Sequence, residues 1–143
     1  MTQVDRSALV LHTAEQMFDL VNDVENYPAF LPWCSGSTVI ESTDEVMQAS
    51  LYVAKAGLKY SFTTRNDLVR PSEIQMNLVE GPFSSLSGVW TFKALSDEAC
   101  KVSLSLQFDF SGKLASMAMS KVFNQMAATM VDAFVSRADQ VYS

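Results

Sequence analysis

The sequence predicts an α+β fold in which a curved antiparallel sheet of about seven strands wraps around one long C-terminal helix. Two observations carry this. Between Ser37 and Phe110 apolar and polar residues alternate at the period of a strand. From about Lys113 to Tyr142 the chain has no Gly or Pro and carries Met, Phe and Ala at helical spacing. At 1.5 Å per residue, such a helix spans about 42 Å. A chain of 143 residues has a radius of gyration of about 14 to 15 Å, so the helix is as long as the body is wide. Its apolar stripe needs cover along its whole length, and only the sheet is large enough to supply it.

The elements follow in order. QVDRSALVL suits an extended strand. Thr13 with Gln16 three residues later has the form of a capping box and starts a helix at Ala14, whose Met17, Leu20, Val21 and Val24 share a face. Pro28 lacks an N–H and disfavours helical geometry at Tyr27, so it prevents regular continuation. Short helices or turns therefore join the first strand to the second. Phe30 and Trp33, in the stretch YPAFLPWCSGS, then lie over the open end between the short helix and the long one.

In the sheet, Met47, Ala49, Leu51 and Val53 alternate with Gln48, Ser50 and Tyr52. After a turn near Lys55-Ala56-Gly57, Leu58, Tyr60 and Phe62 alternate with Lys59, Ser61 and Thr63. Ile74, Met76 and Leu78 continue the pattern, and Cys100, Val102, Leu104, Leu106, Phe108 and Phe110 form its clearest case. On the last helix the stripe is Met119, Phe123, Met126, Met130, Phe134 and Val141, with Ala127 and Ala138 beside it.

Residues 1–143 read as a single domain. Apolar residues make up 48% and charged residues 18%, the balance of a globular chain. No signal segment and no run of about 18 apolar residues is present, so a cytoplasmic protein is expected. Cys34 and Cys100 are isolated and stay thiols in a reducing compartment. A net charge of −6 argues against DNA and against general nucleic-acid binding. The distribution is uneven, however. Residues 1–50 hold eight acids and one base, whereas Lys55, Lys59, Arg65 and Arg70 face only Asp67 in residues 51–70. These four read either as a solvated sheet surface or as a contact for an anionic partner.

Catalytic machinery is thin. His12 is the only histidine and sits at a strand-to-helix junction without a nucleophile or orienting carboxylate nearby in sequence. One His and two distant Cys do not make a zinc site. Glu80 follows Ile74, Met76 and Leu78 in parity but precedes Gly81-Pro82, so it reads as a strand-end residue reaching solvent or as a polar group at a cavity mouth. No enzyme is expected, and no metal or required cofactor.

If the sheet curves more than the helix can fill, an apolar cavity remains, and adaptable Met side chains suit its wall. Periodicity leaves a dry core and a cavity equally open. The candidate lining is Phe30 and Trp33 at the rim, with Leu51, Val53, Phe62, Met76, Phe83, Trp90 and Phe108 from the sheet. Phe123, Met126 and Met130 come from the helix.

LPWC (Leu31 to Cys34), Lys55-Ala56-Gly57, FTTRN (Phe62 to Asn66), EGPF (Glu80 to Phe83), GVWTF (Gly88 to Phe92) and the long last helix together resemble the RatA and coenzyme Q-binding branch of the START-like, polyketide-cyclase-like (SRPBCC) superfamily. The resemblance covers essentially the whole chain. It implies the helix-grip fold. It also implies two functions. Mitochondrial members bind ubiquinone or its precursors and support respiration without being enzymes, which makes a hydrophobic small molecule, ubiquinone or another isoprenoid quinone, the expected ligand, with transient membrane contact as a further partner. RatA-type members bind the large ribosomal subunit and block its joining with the small one, which points to Lys55, Lys59, Arg65 and Arg70 as the contact. Without the leading transit segment of the mitochondrial members, the chain looks like the bacterial type. The apolar-ligand reading leads narrowly, with the ribosomal reading as the alternative.

Overall fold

The computed structural model describes residues 2–55, 57–112 and 114–142 and, in the last of these spans, the side chains from Met117 onward. Ala56 of the expected turn and Lys113 at the expected helix start lie outside the described residues. The strands are β1 (Thr2–Val10), β2 (Cys34–Ser42), β3 (Val46–Lys55), β4 (Leu58–Val69), β5 (Glu73–Glu80), β6 (Phe83–Ser96) and β7 (Ala99–Phe110). They form one antiparallel sheet in the order β1-β7-β6-β5-β4-β3-β2. The first two strands in sequence are thus the two edges. Between them the chain crosses by α1 (Ala14–Asn22) and a 3₁₀ segment (Val24–Ala29).

Local chemistry explains that crossing. The Gln16 N–H donates to Thr13 Oγ1 and the Thr13 N–H donates to Gln16 Oε1, both at 3.0 Å, which completes the capping box and starts α1 at Ala14 as expected. The helix ends earlier than Pro28 requires. Asp23, at φ −85° and ψ 68°, leaves helical geometry, and the chain tightens into the 3₁₀ segment with Pro28 inside it. So short a segment has few backbone bonds for a proline to remove. It closes with the Phe30 and Leu31 N–H groups donating to the Tyr27 carbonyl at 3.2 and 2.9 Å.

The sheet alternates as its sequence does. On β7, Cys100, Val102, Leu104, Leu106, Phe108 and Phe110 are buried, while Lys101 and Gln107 are exposed on the other face. Register shifts interrupt β2, the β4/β5 ladder and β6, and such bulges bend strands and increase twist. At the β5–β6 corner Gly81 has φ +151° and a Cβ there would lie 2.7 Å from Phe62 Cβ. Only glycine allows the chain to pass so close.

The last helix, α2 (Leu114–Val141), packs against β1, β7 and α1. Phe123, Met126, Ala127, Phe134 and Ala138 of the expected stripe are buried, with Val131 added to them. Val141 departs from it and is 49% exposed. The seam is closed instead by Tyr142, whose hydroxyl donates to the Gln16 carbonyl at 3.0 Å. Beside it His12 hydrogen-bonds Asp139 at 2.8 Å. The single histidine therefore ties the start of α1 to the end of α2.

Candidate ligand cavity and basic surface

Between sheet and α2 lies a partly closed space of about 70 Å³. β4 presents Phe62, Thr64 and Asn66 to it, β3 presents Ala49 and Leu51, and β5 presents Met76. Leu86 and Trp90 of β6 and Leu104 and Leu106 of β7 form the floor. Phe123, Met126, Ala127 and Met130 of α2 form the roof, and Val24, Tyr27 and Trp33 close the side toward the 3₁₀ segment. Grooves of about 260 to 340 Å³ also exist, but they are open to solvent and lined largely by Ser, Thr, Gln and acidic residues. Beside these grooves, the space under α2 is the more closed and the apolar one.

Trp33, Leu51, Phe62, Met76, Trp90, Phe123, Met126 and Met130 of the candidate lining meet at this cavity. Phe30, Val53, Phe83 and Phe108 do not. Phe83 and Phe108 sit behind the wall, in an aromatic cluster with Phe62, Phe110 and Phe123; Phe83 stacks on Phe110 at 4.3 Å and Phe108 meets Phe123 edge-on at 4.7 Å. Phe30 packs on Phe134 at 5.3 Å and carries Arg137 over its ring at 5.2 Å. It is a seam between the 3₁₀ segment and α2, while Trp33 alone of the pair reaches the cavity. Val53 is 2% exposed and belongs to the packed core. Val53 and Phe108 share strand parity with the lining residues Leu51 and Leu106, so a period of two does not separate them from the lining.

The cavity also has residues that the apolar pattern passes over. Thr64 and Asn66 follow Phe62 in parity within FTTRN, and parity alone would have placed them inside. Tyr27 is buried, its hydroxyl donates to the Val21 carbonyl, and burial, then nearby Cys34 and Asp23, pushes its pKa up. Cys34 is likewise buried, and desolvation raises its thiol pKa against a smaller opposing effect of the Gly36 backbone; its Sγ donates to the Gly36 carbonyl at 3.3 Å. Both stay protonated across neutral pH. Glu80 is exposed and outside the lining, which matches the strand-end reading and not the cavity-mouth one.

The basic residues do not form one surface. Arg70, at the far end of the β4 strand, forms ion pairs with Glu15 and Asp19 of α1 and lies 5.2 Å from the Phe18 ring centroid. Arg65 reaches Glu41 at 3.4 Å and Gln48 at 2.8 Å. Lys55 and Lys59 are exposed at the β3–β4 hairpin and have no ion pair among the described residues. Eleven residues of extended chain separate Lys59 from Arg70, roughly 36 Å. The expected cluster thus reduces to a lysine pair, with its two arginines neutralised by acids from elsewhere in the chain.

A family model for polyketide cyclase/dehydrase and lipid transport proteins matches residues 10–135. The chain belongs to that family. Within it, the Ribosome association toxin RatA of Pseudomonas aeruginosa is 53% identical over 141 residues, covering 99% of this chain and 98% of its own. The mitochondrial Coenzyme Q-binding protein COQ10 homolog B of Xenopus laevis is 28% identical over 98% of this chain and 59% of its own. Among solved structures, the Zhui aromatase/cyclase from a Streptomyces species superposes with a TM-score of 0.87 at 19% identity, covering 99% of this chain and 96% of that one. This member of the polyketide cyclase/dehydrase and lipid transport family therefore has the START-like helix-grip fold and falls in the RatA branch. Among the described residues, no helix is long and apolar enough to cross a membrane.

Proposed function

We propose that this protein is a ribosome-associating inhibitor of translation that works by binding and not by catalysis. The observation that carries the reading is 53% identity over 99% of the chain to a ribosome association toxin. A net charge of −6 makes diffuse attraction to RNA unfavourable, so contact comes from a local patch. The exposed lysine pair Lys55 and Lys59 is the surviving candidate. Purified protein added to ribosomes before a sucrose gradient is expected to reduce the joined-ribosome peak and raise the free subunits. Lys55→Glu with Lys59→Glu is expected to weaken the effect. An unchanged joined peak would overturn the reading, and an effect that survives charge reversal would overturn the patch.

The apolar ligand stands second, supported by the apolar space under α2 and the more distant coenzyme Q-binding relative. Its size sets the ranking. A cavity of about 70 Å³ is under half of the roughly 150 Å³ that admits a single benzene. A substituted quinone ring enters only if Met76, Met126 and Met130 swing aside. The order of the two readings is thus the reverse of the one expected from sequence.

A further inference from the structure

We infer that the cavity recognises an apolar molecule bearing one hydroxyl or carbonyl group, with Asn66 as its anchor and Thr64 beside it. This rests on the second reading above, that the cavity is occupied. Asn66 Oδ1 is buried without a hydrogen-bond partner, and the Asn66 side chain lines the cavity. Its neighbours in register are Met47 on β3 and Met76 on β5, neither of which offers a useful donor. Thr64, two residues earlier on the same face, also lines the cavity and has no side-chain hydrogen bond among the described residues. The Tyr27 hydroxyl is already engaged by Val21.

A buried acceptor left unmade is costly, whereas the same group paired with a ligand is not. A pure hydrocarbon would fill the space and leave Asn66 dry. A strongly polar ligand would meet Leu, Met, Phe and Trp on every other side. An apolar body with one hydrogen-bonding group satisfies both. A hydroxyl donates to the amide oxygen, and a carbonyl accepts from the amide nitrogen of the same side chain.

Phenol and benzene differ only in the hydroxyl and serve as the probes; each is larger than the resting space of about 70 Å³ and enters only as Met76, Met126 and Met130 swing aside, so those methyl groups report entry. Each is titrated into protein carrying 13C-labelled Met methyl groups, with Met76, Met126 and Met130 as reporters. In the wild type, phenol is expected to bind at least as tightly as benzene, although an anchorless dry cavity prefers benzene. Asn66→Leu is expected to move the ratio about tenfold toward benzene, with a melting temperature at or above that of the wild type. Thr64→Val, which is nearly isosteric, gives a smaller shift in the same direction and carries the test if Asn66→Leu does not fold. If neither probe moves the Met signals, the cavity reading falls and this inference with it. If both bind but benzene wins in the wild type, or if the ratio survives Asn66→Leu, the anchor is overturned and the cavity reading stands.

Discussion

Met126 is the side chain whose removal tests the cavity most directly. It lines the space from α2 and is 2% exposed. Met126→Ala deletes three side-chain heavy atoms. Taking each as a methylene equivalent at about 0.8 kcal/mol gives about 2.4 kcal/mol of lost transfer free energy. The emptied volume is roughly 75 Å³, which at about 24 cal/mol per Å³ adds about 1.8 kcal/mol. The expected loss is therefore about 4 kcal/mol, within the range of about 2 to 5 for such substitutions. Joined to the existing 70 Å³, the new space reaches about 145 Å³, the size that admits benzene. Urea unfolding followed by the fluorescence of Trp33 and Trp90, both buried, measures the loss. Repeating it with benzene at a hundred times its dissociation constant is expected to restore about 2.7 kcal/mol. A loss below about 1 kcal/mol with an unchanged urea slope would refute the packing described for this wall. A loss of only about 2.4 kcal/mol without benzene rescue would show that the wall collapses into the gap.

Three further outcomes follow from other parts of the molecule. A Cβ at Gly88 would lie 2.8 Å from Leu106 Cδ1 and 3.0 Å from the Ser105 carbonyl oxygen, so Gly88→Ala is expected to cost about 1 to 3 kcal/mol by thermal or urea unfolding; no change would mean that β6 and β7 are more loosely packed than described. Arg70→Ala removes two exposed ion pairs and a ring contact, so it is expected to cost about 0.5 to 1.5 kcal/mol at low salt, with much of that difference lost at 1 M salt. A cost independent of salt would assign it to packing on Phe18. Burial raises the pKa of Tyr27, Tyr60, Cys34 and Cys100 in the fold. The native state therefore binds more protons than the unfolded one above the unfolded values of about 8.5 and 10. Stability is fully present below about pH 8.5 and falls as pH rises, so the urea midpoint should drop between pH 8 and pH 11; a flat or rising midpoint would contradict the burial of these groups.

Much of the fold was legible because its signals are local. The capping box needs only Thr13 and Gln16, and the inner face of β7 needs only every second residue from Cys100 to Phe110. The end of α1 was not legible in the same way. Pro28 is a strong breaker, yet the break comes at Asp23, where geometry and not a forbidden residue ends the helix. For the cavity, parity turned Leu51, Phe62 and Met76 inward, but it selected Val53 and Phe108 as well, which do not reach the cavity. Asn66 and Thr64 share the parity of Phe62 within FTTRN, but being polar they fall outside the apolar pattern.

By itself, then, the sequence determined which elements form and which face of each is apolar, because strand and helix periods are set by neighbours two to four residues apart. Only the tertiary structure determined where packing stops short. A void depends on whether side chains from β3 through β7 and α2 meet across the core, and no local period records that. The same holds for charge. Lys55, Lys59, Arg65 and Arg70 look alike along the chain, but Arg70 meets Glu15 across 55 residues of sequence and Arg65 meets Glu41 across 24. Those long-range pairs leave two lysines of the four without an ion pair among the described residues, because neutralisation depends on which acids the fold brings within reach.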